Sequence, residues 1–175
     1  MRYLVNYLYR CLESEILALQ LLETVKNEAI IRKYTYQDKE RVLDLLKFNT
    51  PQFFSPEEES DLLYYLENEI EYYYVLELHR QIIGSGGFNF SGDYSKGKIS
   101  WDLLHPDFQR QSFGTTLLKY RIEKLKEFSQ LREITVRTSQ QAYKFYEKNG
   151  FQLLGTIKDY WAPGFDLYNM KYVRC

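Results

Sequence analysis

The segment 101–118 holds the residues whose types and spacing most clearly suggest chemistry. An extended apolar stretch ends at Leu104, Pro106 interrupts it, and a short polar run leads to Gly114 and a helical pattern. The N–H groups at a helix start bind anions because they point outward and the helix dipole adds about half a positive charge. Gly114 lets the backbone approach a phosphate without an intervening Cβ. The segment therefore suggests a phosphate site, and a plain strand-to-helix turn is the alternative.

Other phosphate-binding loops fit the sequence less well. There is no Gly-Lys-Ser/Thr of a nucleotide P-loop, and no Gly-x-Gly-x-x-Gly follows a first strand. The run Gly84-Ser-Gly-Gly87 lies inside a strand pattern, where glycines mark a bulge or a close backbone approach. A nucleotide-binding α/β protein is therefore the weaker reading.

Two motifs in this sequence resemble the signatures of the GNAT N-acetyltransferase superfamily. Residues 109–114, Gln-Arg-Gln-Ser-Phe-Gly, are similar to its pyrophosphate loop, Q/R-x-x-G-x-G/A. Residues 142–151, Ala-Tyr-Lys-Phe-Tyr-Glu-Lys-Asn-Gly-Phe, are similar to A-x-x-x-Y-x-x-x-G-F. The two motifs occur in order, separated by a predicted helix and strand, and the resemblance covers about residues 30–174.

The resemblance implies that acetyl-coenzyme A lies where two parallel strands separate, here the strands ending near Leu104 and Thr138. A backbone N–H near Leu103 or Leu104 would hold the thioester oxygen, and the N–H groups of 109–114 would hold the pyrophosphate. No metal is expected. The implied cofactor-binding residues are Leu103, Leu104, Gln109, Arg110, Gln111, Ser112, Phe113, Gly114, Thr115 and Gln140.

One position departs from the family pattern. Ser112 stands where the family usually has its first glycine. If the loop needs a positive φ at this position, the serine introduces strain of roughly 1 kcal/mol or more. We expect cofactor binding to survive with reduced affinity.

The resemblance also assigns catalytic candidates. Tyr146 matches the tyrosine that in many members protonates the leaving thiolate, a task suited to a phenol of pKa about 10. Tyr143, three residues earlier, is the second candidate. Asp102 is the only acid on the strand that enters the loop, which makes it the candidate general base. An outward-facing Asp102, a water relay and an amine that binds already neutral are the alternatives.

Two segments should set acceptor specificity, 48–62 and 159–166. The acidic run 57–61 could attract a cationic amine, or it could be a solvated helix start. Trp161 and Phe165, with the proline between them, could wall an apolar acceptor pocket or form a packed turn.

Hydrophobic periodicity and turn signals predict seven strands and four helices after residue 29. The strands are 30–34, 72–78, 81–90, 98–104, 133–138, 151–157 and 167–172, and the helices are 38–47, 55–67, 114–128 and 141–148. A helix between strands that end at 104 and start at 133 implies one parallel pair. The expected fold class is α/β (α+β), a mixed, mostly antiparallel six- to seven-stranded sheet with one central parallel pair, flanked by helices.

Residues 1–29 read as an amphipathic helical extension, and residues 30–175 as the acyltransferase domain. The formal net charge of −1 lacks the basic excess of a general nucleic-acid binder. No apolar run reaches the roughly 18 residues of a membrane span, and no signal peptide is evident. Cys11 and Cys175 read as unpaired thiols of a reducing compartment. We therefore expect a cytoplasmic protein without nucleic-acid or membrane partners, and a homodimer is left open.

These expectations combine into one functional hypothesis. The chain would transfer an acetyl group from acetyl-coenzyme A to a primary amine, a small molecule or a peptide, by direct attack through a tetrahedral intermediate. The alternative is a catalytically silent module that binds acyl-coenzyme A, which Ser112 and the missing obvious base would support.

Overall fold

The computed structural model describes residues 28–173. The predicted helix over 1–29 lies outside the described residues except for its last two positions, and so do Cys11 and Cys175. No helix in the described part of the chain is long and apolar enough to cross a membrane. The strands are β1 (Ile30–Lys33), β2 (Tyr72–Leu78), β3 (Gln81–Phe90), β4 (Lys96–Leu104), β5 (Glu133–Thr138), β6 (Phe151–Ala162) and β7 (Phe165–Tyr172). The helices are α1 (Lys39–Asn49), α2 (Glu58–Asn68), α3 (Phe113–Lys126) and α4 (Tyr143–Lys148), with 3-10 turns at Tyr36–Asp38 and Pro106–Phe108.

The seven strands form one sheet in the order β1-β2-β3-β4-β5-β7-β6. Only β4 and β5 run parallel, and every other neighbouring pair is antiparallel. The crossover from β4 to β5 contains α3, as a parallel connection requires. The predicted fold class is therefore confirmed.

Two element boundaries differ from the predicted ones by three residues or more, each for a local reason. Strand β6 continues to Ala162, five residues further than predicted, because it pairs with β7 as far as the Ala162–Phe165 closure of the hairpin. Helix α2 begins at Glu58, three residues after Ser55, because Pro56 and Glu57 form a turn. The Glu58 carboxylate accepts a hydrogen bond from the Ser55 N–H at 2.9 Å, which fixes that turn.

The sheet has an apolar cluster on each face. Helices α1 and α2 cover one face around Leu45, Leu62 and Val75, which we call the α1/α2 face. Helices α3 and α4 cover the other around Phe88 and Leu118, which we call the α3/α4 face. Burial of these side chains is the main stabilising contribution to the fold.

The two parallel strands separate before they end. Their ladder covers four register pairs, from Lys96 opposite Glu133 to Ile99 opposite Val136. Strand β4 continues to Leu104 without β5 as a neighbour. Part of its backbone is consequently left without a sheet partner on that side, and a cleft opens between the strands.

A bulge in β4 lies at the opening of this cleft. Ser85 pairs with Leu103 and Gly87 pairs with Ser100, so Gly86 faces the two residues between them, Trp101 and Asp102. Trp101 has a φ of 49°, a conformation that bulky residues rarely adopt. The extra residue re-aims the following side chain, as bulges next to functional sites often do. The glycine-rich run thus marks a bulge, one of the two features predicted for it.

Candidate active site

The separated strands enclose a cleft of about 1210 Å³. Strands β4 and β5 form its floor, the loop before α3 forms one rim, and Tyr146 of α4 closes one side. The walls come from α2 and the β6–β7 hairpin. Among the predicted cofactor-binding residues, those that line this cleft are Leu103, Leu104, Gln109, Arg110, Ser112, Gly114 and Thr115.

The loop that enters α3 has the shape of an anion site. Arg110 and Ser112 have φ values of 60° and 70°, and α3 begins at Phe113. The Ser112 side chain does not cap the helix. The N–H groups of the first helical turn have no partner within a helix, so they are available to a ligand. The left-handed turn and the open helix start together suit a pyrophosphate.

The positive φ of Ser112 gives a stability prediction. Glycine adopts this conformation freely, whereas other residues are strained by roughly 1–2 kcal/mol. We expect Ser112→Gly to raise the free energy of unfolding by up to about 1 kcal/mol, since the greater freedom of glycine in the unfolded chain offsets part of the gain. Urea denaturation would measure it. Ser112→Ala is the matched control: it keeps the strain and removes only a hydroxyl that makes no cap, so it should show no gain.

Hydrogen bonds to α1 hold the start of the loop. The Gln109 side chain donates to the Asn49 Oδ1 atom at 3.0 Å and to the Leu104 carbonyl at 3.3 Å. Asn49 donates to the same carbonyl at 3.0 Å and is buried. The Gln109 side chain therefore contacts the protein, and its backbone N–H donates to the Pro106 carbonyl at 3.1 Å, so neither donor is open to a ligand in this structure. The sequence analysis did not identify Asn49. The one indication of its role is that a polar residue stands at the end of a helix with an apolar face.

Three predicted cofactor residues do not direct their side chains into the cleft. Phe113 is buried in the core beside Phe108. The Gln111 side chain donates to the Asp107 carbonyl at 2.8 Å. Gln140 donates to the Gly164 carbonyl and accepts from the Asp166 N–H at 2.9 Å, which anchors the β6–β7 hairpin. For Phe113 and Gln111, the predicted contact with a cofactor would have to come from the backbone.

Three side chains from three elements meet beside the bulge. Asp102 of β4 forms an ion pair with Arg121 of α3 and accepts a hydrogen bond from the Tyr146 hydroxyl of α4. Arg121 is fully buried and also donates to the carbonyls of Gly87 at 3.1 Å and Leu117 at 3.2 Å. We call Asp102, Arg121 and Tyr146 the buried triad. Both carboxylate oxygens of Asp102 are engaged within it.

Gly86 provides the space for the buried triad. A Cβ at this position would lie 2.5 Å from Arg121 Nη1 and 2.7 Å from Asp102 Oδ1. Sequence reasoning did not single out Arg121, although a signal was present. It follows Leu117 by four residues and precedes Leu125 by four, so it falls on the buried face of α3. A charged residue on an apolar face predicts a buried partner.

The environment of Tyr146 keeps its phenol protonated. Burial raises the pKa of Tyr146 well above its usual value of 10.0, and the neighbouring Asp102 charge raises it further, while Arg121 opposes the shift. Its hydroxyl lies where the parallel strands separate. The arrangement can thus hold a neutral proton donor at the cleft. Tyr143, the second candidate, instead stacks on Tyr168 with ring centroids 4.5 Å apart.

The segments predicted to set specificity contribute to the cleft walls. Phe54 and Glu58 line it from the α2 side, and Trp161 and Phe165 line it from the hairpin. Of the acidic run 57–61, only Glu58 reaches the cleft. Burial raises the pKa of its carboxyl above the usual value.

The family is decided by the sequence profile of the acetyltransferase (GNAT) family, which matches residues 39–151. This chain belongs to the GNAT acetyltransferase family. The match covers both motifs, the α3 loop and the helix of Tyr146, and most of the sheet. A comparison with curated proteins gives no match.

Solved structures show the same fold across distant GNAT relatives. Ard1 from Thermoplasma volcanium superposes with a TM-score of 0.70 at 16% identity, covering 84% of this chain and 99% of its own. The ribosomal-protein-S18-alanine N-acetyltransferase from Escherichia coli gives 0.68 at 17% identity, covering 82% and 92%. An aminoglycoside 6'-N-acetyltransferase complexed with coenzyme A gives 0.67 at 14% identity, covering 81% and 95%.

Proposed function

We propose that this GNAT protein transfers an acetyl group from acetyl-coenzyme A to a primary amine. The observation that carries the proposal is the convergence at one cleft of an uncapped helix start and a buried tyrosine. The aminoglycoside 6'-N-acetyltransferase was solved in complex with coenzyme A, and both it and the ribosomal-protein-S18-alanine enzyme are N-acetyltransferases, which supports this choice of donor and acceptor.

The cleft offers groups that could bind acetyl-coenzyme A at both its pyrophosphate and its thioester. The N–H groups at the start of α3, next to Ser112 and Gly114, would hold the pyrophosphate. Unpaired backbone of β4 beyond Ile99 would bond the pantetheine arm, and an N–H near Leu103 would stabilise the oxyanion of the tetrahedral intermediate. The open strand edge and the loop lie along one cleft.

The proton transfers follow from the buried triad. The amine attacks the thioester carbon, the C–S bond breaks, and the leaving thiolate takes the proton of Tyr146. A tyrosinate beside Asp102 is unfavourable because the two charges repel. The proton that the amide nitrogen loses therefore restores the phenol. In the structure the Tyr146 hydroxyl donates its hydrogen bond to Asp102, so the O–H has to turn toward the sulfur to protonate the thiolate. In this scheme Asp102 holds the phenol between turnovers, and its earlier candidacy as the base that accepts the amine proton becomes secondary.

An acceptor screen with acetyl-coenzyme A, read as free thiol, tests the proposal. Acetyl transfer predicts thiol release that depends on the amine. A catalytically silent module would bind the cofactor and release no thiol with any acceptor. Family membership and the placement of Tyr146 at the cleft favour the enzyme.

The cofactor loop is tested separately by Gly114→Glu. A Cβ at Gly114 would lie 3.5 Å from the Phe145 ring and 3.7 Å from Leu104, which is ordinary contact, so the fold should tolerate it. The added carboxylate would repel the pyrophosphate at the helix start. We expect no calorimetric binding of coenzyme A by Gly114→Glu and intermediate binding by Gly114→Gln. Gly114→Ala should bind nearly as well as wild type, because the family pattern admits alanine at this position. Unchanged affinity in Gly114→Glu would rule out the loop as the pyrophosphate site.

A further inference from the structure

Two cations of β4 and β5 point into the cleft from the α1/α2 face of the sheet. Ile99 and Val136 pack in the cluster beneath α3 and α4. Side chains alternate along a strand, so Lys98, which precedes Ile99, and Arg137, which follows Val136, point to the opposite face. Both line the cleft, on the part of that face beside the separated strands.

These two cations have no acidic partner among residues 28–173, unlike their neighbours. Glu133 pairs with Lys96 and with Lys171, each at 2.8 Å, and so compensates both. No ion pair involves Lys98 or Arg137 in the described part of the chain. Thr135 is the ladder partner of Lys98, and Arg137 lies two residues further along β5 on the same face, one position beyond the last register pair. Both side chains line the one cleft. Both long side chains can therefore reach one bound group.

Two aromatic rings hold the Arg137 guanidinium in place. Its central carbon lies 4.7 Å from the ring centre of Tyr160 and 5.0 Å from that of Trp161. The acids that flank these rings are engaged elsewhere: Asp159 accepts from the Gly164 N–H and Asp166 accepts from the Asp159 N–H. A stacked guanidinium presents its N–H edge to a planar carboxylate, which it can bind through two parallel hydrogen bonds.

We propose that Arg137, assisted by Lys98, binds a carboxylate of the acceptor, so that the substrate is an amine that also carries a carboxylate. This inference rests on the proposed acetyl transfer. The anion belongs to the acceptor because the loop 109–114 leads into α3, which packs on the α3/α4 face, whereas Arg137 and Lys98 point from the α1/α2 face. Trp161 belongs to the hairpin predicted from sequence to contact the acceptor.

Matched acceptors test the proposal. Each amino acid is compared with its primary carboxamide, which keeps the size and removes the carboxylate. The carboxamide lowers the basicity of the amine, so at about pH 7 it has the larger fraction of free amine. A preference for the acid at this pH therefore does not arise from the protonation of the amine. We expect at least about 10-fold higher kcat/KM for the acid, the size of a charge-assisted hydrogen bond. Arg137→Gln should abolish this preference, and Lys98→Gln should reduce it, while the KM for acetyl-coenzyme A stays within about twofold.

Lys171→Gln is the matched control because it removes a cation of the same face that Glu133 already compensates, and it should keep the preference. Equal kcat/KM for acid and amide in the wild type would overturn the carboxylate site and leave acetyl transfer intact. An equal fall in kcat/KM for both acceptors in Arg137→Gln would do the same. If Arg137→Gln raises the KM for acetyl-coenzyme A and leaves the preference for the acid unchanged, the bound anion belongs to the cofactor, and the proposal is overturned. Absence of thiol release with every amine would remove the proposed function itself.

Discussion

Tyr146→Phe is expected to lower kcat by roughly 10²–10⁴-fold, the usual size of a general acid–base contribution. The variant keeps the ring that packs against Phe151 and removes the hydroxyl that faces Asp102. Thiol release at saturating acetyl-coenzyme A measures the effect, and circular dichroism checks the fold. Coenzyme A affinity should be almost unchanged because the pyrophosphate loop is not altered.

Tyr143→Phe is the control for this prediction. Tyr143 lies on the same helix and stacks on Tyr168, so its ring contact survives the change. We expect its kcat to remain within about twofold of wild type. A loss of less than about threefold in Tyr146→Phe would remove Tyr146 from the role of proton donor, and a large loss in Tyr143→Phe would transfer the role to that residue.

The raised pKa of Tyr146 adds a pH signature. Burial and the Asp102 charge favour the neutral phenol, so its ionisation moves above the usual value of 10.0. The wild-type enzyme should therefore show no descending limb of kcat from loss of this proton at any pH below about 10. A descending limb of kcat below about pH 10 that is present in the wild type and absent in Tyr146→Phe would contradict a raised pKa for Tyr146.

Arg121→Met is expected to destabilise the fold by about 3–5 kcal/mol. It would leave the Asp102 carboxylate, whose side chain is 23% exposed, without its cation, and breaking one side of a buried pair is strongly destabilising. The carbonyls of Gly87 and Leu117 would also lose a donor. Urea denaturation would measure the loss as a lower midpoint with an unchanged slope.

Two further variants separate the charge from the packing. Adding Asp102→Asn to Arg121→Met removes the unpaired charge, so the double variant should recover part of the lost stability. Gly86→Ala leaves both charges and inserts a Cβ between them, so it should lower stability and kcat together. If Arg121→Met lowers stability by less than about 1 kcal/mol, the ion pair is not important for the fold.

The local features of this protein could be predicted from its sequence alone. Strand and helix order follow from hydrophobic periodicity and turn residues, and the parallel pair follows from the helix between β4 and β5. The loop 109–114 and the helix of Tyr146 could be identified because each is a contiguous motif. The sequence identified Ser112 as the departure from the family pattern and left the sign of its φ open, and the structure gives a φ of 70° there.

The contacts between elements required the tertiary structure. Asp102, Arg121 and Tyr146 lie far apart in the chain, and they meet because a bulge opposite Gly86 turns Asp102 toward α3. Within residues 28–173, Lys98 and Arg137 have no acidic partner, and strand register is one reason, since it pairs Glu133 with Lys96 and Lys171 instead. Periodicity places a side chain on a face, but which charges meet is decided by the register and packing of elements that are distant in sequence. The sequence therefore determined the fold class and the family motifs, and only the tertiary structure decided the partners of the charges at the site.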